Sequence, residues 1–121
     1  MRYLILCLVF LGCGVVAEVE PNEVIPQAIE FDTVKGETSK ADLDRYELPI
    51  VVGEIVRIEF EGIGATGFID VMTSDGSQLL TFAQGDSGTV FAPLDRGATI
   101  FLGTLEPNPL PYTIDVSLFQ P

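Results

Sequence analysis

The sequence predicts an all-β protein, a compact antiparallel β-sandwich of about eight short strands, on three observations. Apolar and polar residues alternate with a period of two in the clearest segments. Turn-forming residues interrupt the chain every 8 to 15 positions or so. No stretch of ten or more residues places apolar groups at i, i+3, i+4 and i+7, so no helix is expected.

The chain opens with a segment that reads as a leader. Met1 and Arg2 give a positive start, Tyr3 to Leu11 is an unbroken apolar run, and small residues follow at Gly12, Gly14 and Ala17. That is the pattern of a secretory signal peptide over 1–17, leaving a single domain over 18–121. The uncharged run of 15 residues from Tyr3 to Ala17 is shorter than the roughly 18 to 20 that a helical membrane span needs. Two processing points compete. Val15-Val16-Ala17 suits ordinary cleavage before Glu18, whereas Phe10-Leu11-Gly12-Cys13 resembles a bacterial lipobox, with Cys13 lipidated and a five-residue tether following it.

The strands are then read in order. Val56, Ile58 and Phe60 alternate with Arg57, Glu59 and Glu61, and Tyr112, Ile114, Val116 and Leu118 alternate with Thr113, Asp115 and Ser117. Each is a half-buried strand with charges facing water. Less regular strands are expected near 28–34, 45–48, 68–73, 78–82, 89–92 and 99–103. Asp75-Gly76 between two apolar runs signals a hairpin.

Composition narrows the chemistry. The 121 residues hold 18 Asp plus Glu against 6 Lys plus Arg, no His and two Cys, for a net charge of −12. Without histidine there is no Ser-His or Cys-His nucleophile, no imidazole zinc site and no ordinary histidine pH switch. Such acidity repels phosphate backbones and anionic lipid, so nucleic acid is excluded as a partner, and membrane contact is expected only through a lipid on Cys13. Removal of 1–17 takes away Arg2, leaving five basic against 18 acidic residues and a net charge of −13. It also takes both cysteines, so no intramolecular disulfide is expected in 18–121.

Acidic residues gather in two places. Glu18-Val19-Glu20-Pro21-Asn22-Glu23 starts the domain, and Asp42-Leu43-Asp44 follows the first strand. In extended chain, residues i and i+2 point the same way, so Glu18 pairs with Glu20 and Asp42 with Asp44. Together with Asn22 and Glu23 they offer the 6 to 8 oxygens, roughly, that Ca²⁺ prefers. The same residues read equally as a solvated tail and a polar turn.

The order of motifs resembles a known family. Glu-x-Glu-Pro-Asn-Glu at 18–23, Gly36, Asp-x-Asp-x-Tyr-x-Leu at 42–48, Leu-Pro and Gly-Glu-x-Val at 48–56, the Asp75-Gly76 turn and the closing 112–116 strand look like the bacterial pre-peptidase C-terminal domain. The resemblance implies a jelly-roll-like sandwich attached to secreted enzymes, especially peptidases. In relatives such as collagen-binding domains of collagenases, similar acidic positions bind calcium. Carried over, the ligands are Glu18, Glu20, Asn22, Glu23, Asp42 and Asp44, with Ca²⁺ as cofactor. The chain departs from the family at Arg45, where an aromatic or neutral residue is usual, and at Thr99-Ile100, where an aromatic pair is usual. Tyr46 and Tyr112 are expected to look inward, which argues against a collagen-binding surface of exposed tyrosines.

Two other motifs carry no chemistry. Gly85-Asp86-Ser87-Gly88 looks like a serine-protease signature without its histidine base, and Asp86-Ser87-Gly88 like an aspartic-protease motif without the apolar strand before it. The expectation is therefore a non-enzymatic extracytoplasmic module, secreted, periplasmic or lipid-anchored. It binds, or is accessory to, an extracellular protein, a peptidase or a polysaccharide; the alternative is a metal-free structural or adhesive protein of the cell envelope.

Overall fold

A computed structural model describes residues 15–19 and 26–119. Among these residues, ten strands form two five-stranded sheets: β1 (Val15–Ala17), β2 (Gln27–Ala28), β3 (Thr33–Thr38), β4 (Asp44–Leu48), β5 (Ile55–Glu61), β6 (Phe68–Met72), β7 (Leu79–Gln84), β8 (Ser87–Pro93), β9 (Ala98–Gly103) and β10 (Leu110–Leu118). The first sheet has the order β1-β3-β10-β5-β8 and the second β2-β4-β9-β6-β7. The fold is a β-sandwich.

The core lies between the sheets and follows from strand periodicity. Val56, Ile58 and Phe60 of β5, Ile114 and Val116 of β10 and Val34 of β3 face Leu48 of β4, Ile69 and Val71 of β6 and Ile100 and Leu102 of β9. Burying each such side chain contributes about 1.5–3 kcal/mol. The charged residues between them, Glu59 and Glu61 on β5 and Asp115 on β10, face water as expected. The Asp75-Gly76 hairpin also forms: Gly76 takes φ 75°, and Asp75 Oδ1 accepts from the Ser77 amide at 2.9 Å.

The N-terminal third differs from the sequence expectation. The strand expected over 28–34 is two strands, β2 in the second sheet and β3 in the first, and β3 continues through Gly36 to Thr38. Gly36 interrupts the apolar pattern, yet close packing there requires a residue without a side chain. The sheets are also not wholly antiparallel, because β1 pairs in parallel with β3 and β2 with β4. The first of these pairs lies within the segment read as a leader.

Candidate metal centre

Asp44 is the first residue of β4, whose alternation turns Asp44, Tyr46 and Leu48 inward and Arg45 and Glu47 outward. A period that buries a tyrosine and a leucine thus also carries a carboxylate to the end of the core. Arg45 leaves the site altogether and stacks its guanidinium over the Phe101 ring, 4.8 Å from the centroid. The charge that departs from the family pattern is therefore kept away from the carboxylates.

Asp42 arrives from a tight turn. Its amide donates to the Ser39 carbonyl at 2.9 Å and its carbonyl accepts from the Thr38 hydroxyl at 2.6 Å. Glu18 arrives from the other sheet, just beyond β1, with its amide on the Lys35 carbonyl at 2.9 Å and its Oε1 accepting from the Glu37 amide at 2.9 Å. Gly36 makes room for it: a Cβ there would lie 2.5 Å from Glu18 Oε1 and 2.8 Å from the Tyr112 hydroxyl.

The three residues Glu18, Asp42 and Asp44 offer carboxylate oxygens that all lie within 4.8 Å of one another. Glu20, Asn22, Glu23 and Cys13 lie outside the described residues. Of the ligand candidates, the described Glu18, Asp42 and Asp44 stand together, and Glu18 reaches the other two from the opposite sheet, which depends on long-range folding.

Buried tyrosines hold the inner wall. The Tyr112 hydroxyl donates to Asp44 Oδ2 at 2.6 Å, and the hydroxyls of Tyr46 and Tyr112 lie 2.5 Å apart. Burial, then the neighbouring Tyr46 and Asp44, hold the Tyr112 phenol far above its ordinary range, so it stays protonated and donates. With that proton committed to Asp44, Tyr46 is left to donate to Tyr112. Both side chains face inward as expected, but their connection to Asp44 is not visible in the sequence.

The electrostatics fit a cation. Asp44 is fully buried, and its pKa is pushed up to about 7, first by burial and further by the charge of Asp42, against the opposing hydrogen bonds from Glu18 and Tyr112. Asp42 Oδ1 and Asp44 Oδ1 are buried and accept no hydrogen bond among the described residues. Orphaned, mutually repelling carboxylate oxygens are costly to bury. A divalent ion would relieve both penalties, and the donor set is all oxygen, the chemistry of Ca²⁺ and Mg²⁺.

The Asp86 turn has a different use. Asp86 Oδ1 accepts from the Gly64 amide at 2.8 Å and its carbonyl from the Gly62 amide at 3.0 Å, fastening the β7–β8 connection to the loop after β5. These contacts account for the motif as a turn.

The chain matches no protein-family profile and no curated protein sequence. Its fold, however, is shared with solved structures. The pre-peptidase C-terminal domain of a collagenase from Bacillus anthracis superposes with a TM-score of 0.63 at 17% identity, covering 83% of this chain and all of that one. Aeromonas hydrophila PliG, a periplasmic lysozyme inhibitor of g-type lysozyme, superposes with a TM-score of 0.59 at 14% identity over 77% of this chain and 96% of that one. In fold, therefore, the chain is similar to the pre-peptidase C-terminal domain, the resemblance that the ordered motifs from Glu18 to Val116 predict.

Proposed function

We propose that the chain is a non-catalytic extracytoplasmic β-sandwich module that binds Ca²⁺ through Glu18, Asp42 and Asp44 and serves as an accessory or binding domain for an extracellular protein. The observation that carries this reading is the convergence of three carboxylates within 4.8 Å, with Asp42 Oδ1 and Asp44 Oδ1 buried and given no hydrogen-bond donor among the described residues. Glu18 follows a strand of one sheet while Asp42 and Asp44 belong to the β4 end of the other, so a shared ion would clamp the two sheets together. Glu20, Asn22 and Glu23 are close enough in sequence to Glu18 to complete the oxygen shell. The absence of histidine, and a fold shared with the pre-peptidase C-terminal domain of a collagenase and with a periplasmic lysozyme inhibitor, support a binding role.

Titration calorimetry with Ca²⁺, paired with melting in excess Ca²⁺ and in chelator, tests the reading. Saturable heat and a higher melting temperature in Ca²⁺ are expected, both abolished in Asp42→Ala. No heat together with identical melting curves would overturn it.

A second reading, a metal-independent inhibitor of an extracellular enzyme, is favoured by the outer face of the first sheet. There Asp115 stands directly opposite Glu59, with Glu61 next along the same strand, and all three are exposed. Like charges paired across strands cost stability, and such a face complements a cationic partner. Binding to a g-type lysozyme that weakens steeply with salt would support this reading; no binding at low salt would remove it.

A further inference from the structure

β1 occupies the segment whose small residues suggest signal-peptidase cleavage after Ala17, and it is tied to the domain in three separate ways. The first is the ladder with β3, where Val15, Val16 and Ala17 lie opposite Thr33, Val34 and Lys35. This pairing covers the outer edge of β3, which would otherwise present unpaired backbone to solvent. The second is packing: Val16 is half-buried against the hydrophobic core. The third is a side-chain clasp, in which Gln27 Nε2 donates to the Ala17 carbonyl at 3.1 Å while Gln27 Oε1 accepts from the Val19 amide at 2.7 Å.

A cut after Ala17 would undo the first two and half of the third, leaving only the Val19–Gln27 bond. It would remove the ladder partner of β3, the Val16 contact and the carbonyl that Gln27 Nε2 uses. It would also turn the Glu18 amide, which donates to the Lys35 carbonyl, into a charged ammonium on the very residue that supplies a carboxylate to the cluster. A positive charge there competes with any cation.

We infer that Val15–Ala17 is a permanent strand of the working protein, and that the leader is cut on the N-terminal side of Val15. Of the two processing points visible in the sequence, the Gly12-Cys13 bond leaves β1 whole and the Ala17-Glu18 bond destroys it. The inference rests on reading the first residues as a leader. It changes the geometry of any attachment at Cys13: only two residue steps, about 7 Å at full extension, separate Cys13 from Val15, so the five-residue tether expected from the sequence shrinks to a short link.

The test is to express the full chain in a secreting bacterial host and determine the intact mass and N-terminal sequence of the protein recovered from envelope and medium. A first residue at Cys13, with or without lipid mass, or anywhere else before Val15, supports the inference. A first residue at Glu18 overturns it. An uncut chain retains β1 but shows no cleavage before Val15, and so overturns the inference as stated. As a second readout, Val16→Asp in the full chain is expected to lower the melting temperature by at least about 5 °C; an unchanged melting temperature shows that β1 does not pack and overturns the inference.

Discussion

The hydroxyl of Tyr112 on β10 donates to Asp44 Oδ2 on β4 across 2.6 Å, joining the two sheets at the end of the core. Tyr46, 2.5 Å from Tyr112, lies in the second sheet like Asp44, so one phenol serves two partners on the opposite layer. The Asp44 carboxylate of the acidic cluster is thus oriented by a donor outside that cluster.

Tyr112→Phe removes this donor, so that Asp44 Oδ2 is buried without it and Tyr46 loses its contact with the Tyr112 hydroxyl. Each such loss typically costs about 1–3 kcal/mol. Chemical denaturation of the variant is expected to show a loss in that range both with Ca²⁺ and in chelator, because the hydrogen bond does not depend on the ion. Combining it with Tyr46→Phe should cost less than the sum of the single changes, as the two hydroxyls share one bond.

Asp44 predicts an unusual pH response. Its pKa is about 7 in the folded protein, against an ordinary value of 3.8, so the fold favours the neutral carboxyl. Its contribution to stability is fully present below the ordinary value and is lost as pH rises from about 4 to 7. In chelator, the melting temperature of the parent should therefore fall across this window more than that of Asp44→Asn, which has no proton to lose. Near pH 7.5 the variant should equal or exceed the parent in chelator and fall below it in excess Ca²⁺. Parallel curves for the two proteins in both conditions would refute the assignment.

Saturation with the ion gives the magnitude of that crossover. A ligand at a hundred times its dissociation constant stabilises by about 2.7 kcal/mol. For a domain of this size that corresponds to a melting increase of about 10 °C or more. Melting in graded free Ca²⁺ should show this rise in the parent and none in Asp44→Asn.

Much of the fold is readable locally because β5 and β10 keep strict alternation: Val56, Ile58 and Phe60, and Tyr112, Ile114 and Val116, are buried while Glu59 and Asp115 are exposed. Asp42 and Asp44 stand out by spacing for the same reason. What local pattern does not encode is partnership across the sandwich. Nothing near Tyr112 marks Asp44, 68 positions away, as its acceptor. Gly36 looks like a strand breaker until Glu18 and Tyr112 are seen against its α-carbon, and nothing in Val15–Ala17 marks Thr33–Lys35 as its ladder partner.

The β6–β7 hairpin offers a contrast away from the carboxylate cluster. Asp75 is held well below the usual carboxylate range, first by the Ser77 and Thr73 hydroxyls and the Ser77 amide, with Arg96 a lesser contributor. Its ion pair with Arg96, 2.8 Å long, is more than half exposed on both sides, and such pairs contribute little. Arg96→Ala should therefore change the melting temperature less than Asp75→Ala, which also removes the acceptor that shapes the turn. Since the folded pKa is depressed, Asp75's contribution is present above its ordinary value and is lost as pH falls below it. Melting of the two variants at pH 7 and pH 3 checks the order, and the gap between Asp75→Ala and the parent should narrow at the lower pH.

Gly36→Ala tests the place of Glu18 in the cluster. The backbone of β3 needs no left-handed conformation at this position, so alanine is acceptable to the strand itself. The obstacle is the contact: the new methyl would fall 2.5 Å from Glu18 Oε1, 2.8 Å from the Tyr112 hydroxyl and 2.9 Å from Glu18 Cβ, so the Glu18 segment must give way and the buried tyrosine is crowded as well. Glu18 would then leave the cluster while Asp42 and Asp44 stay, because their turn and strand hold them independently. Calorimetry should show Ca²⁺ affinity reduced by tenfold or more, equivalent to about 1.4 kcal/mol. Melting in chelator should fall as well, since the crowded Tyr112 hydroxyl is the donor that holds Asp44, so the loss of affinity is read from calorimetry. Equal affinity in Gly36→Ala and the parent would mean that Glu18 is not a ligand, and that any ion is held from the β4 side alone.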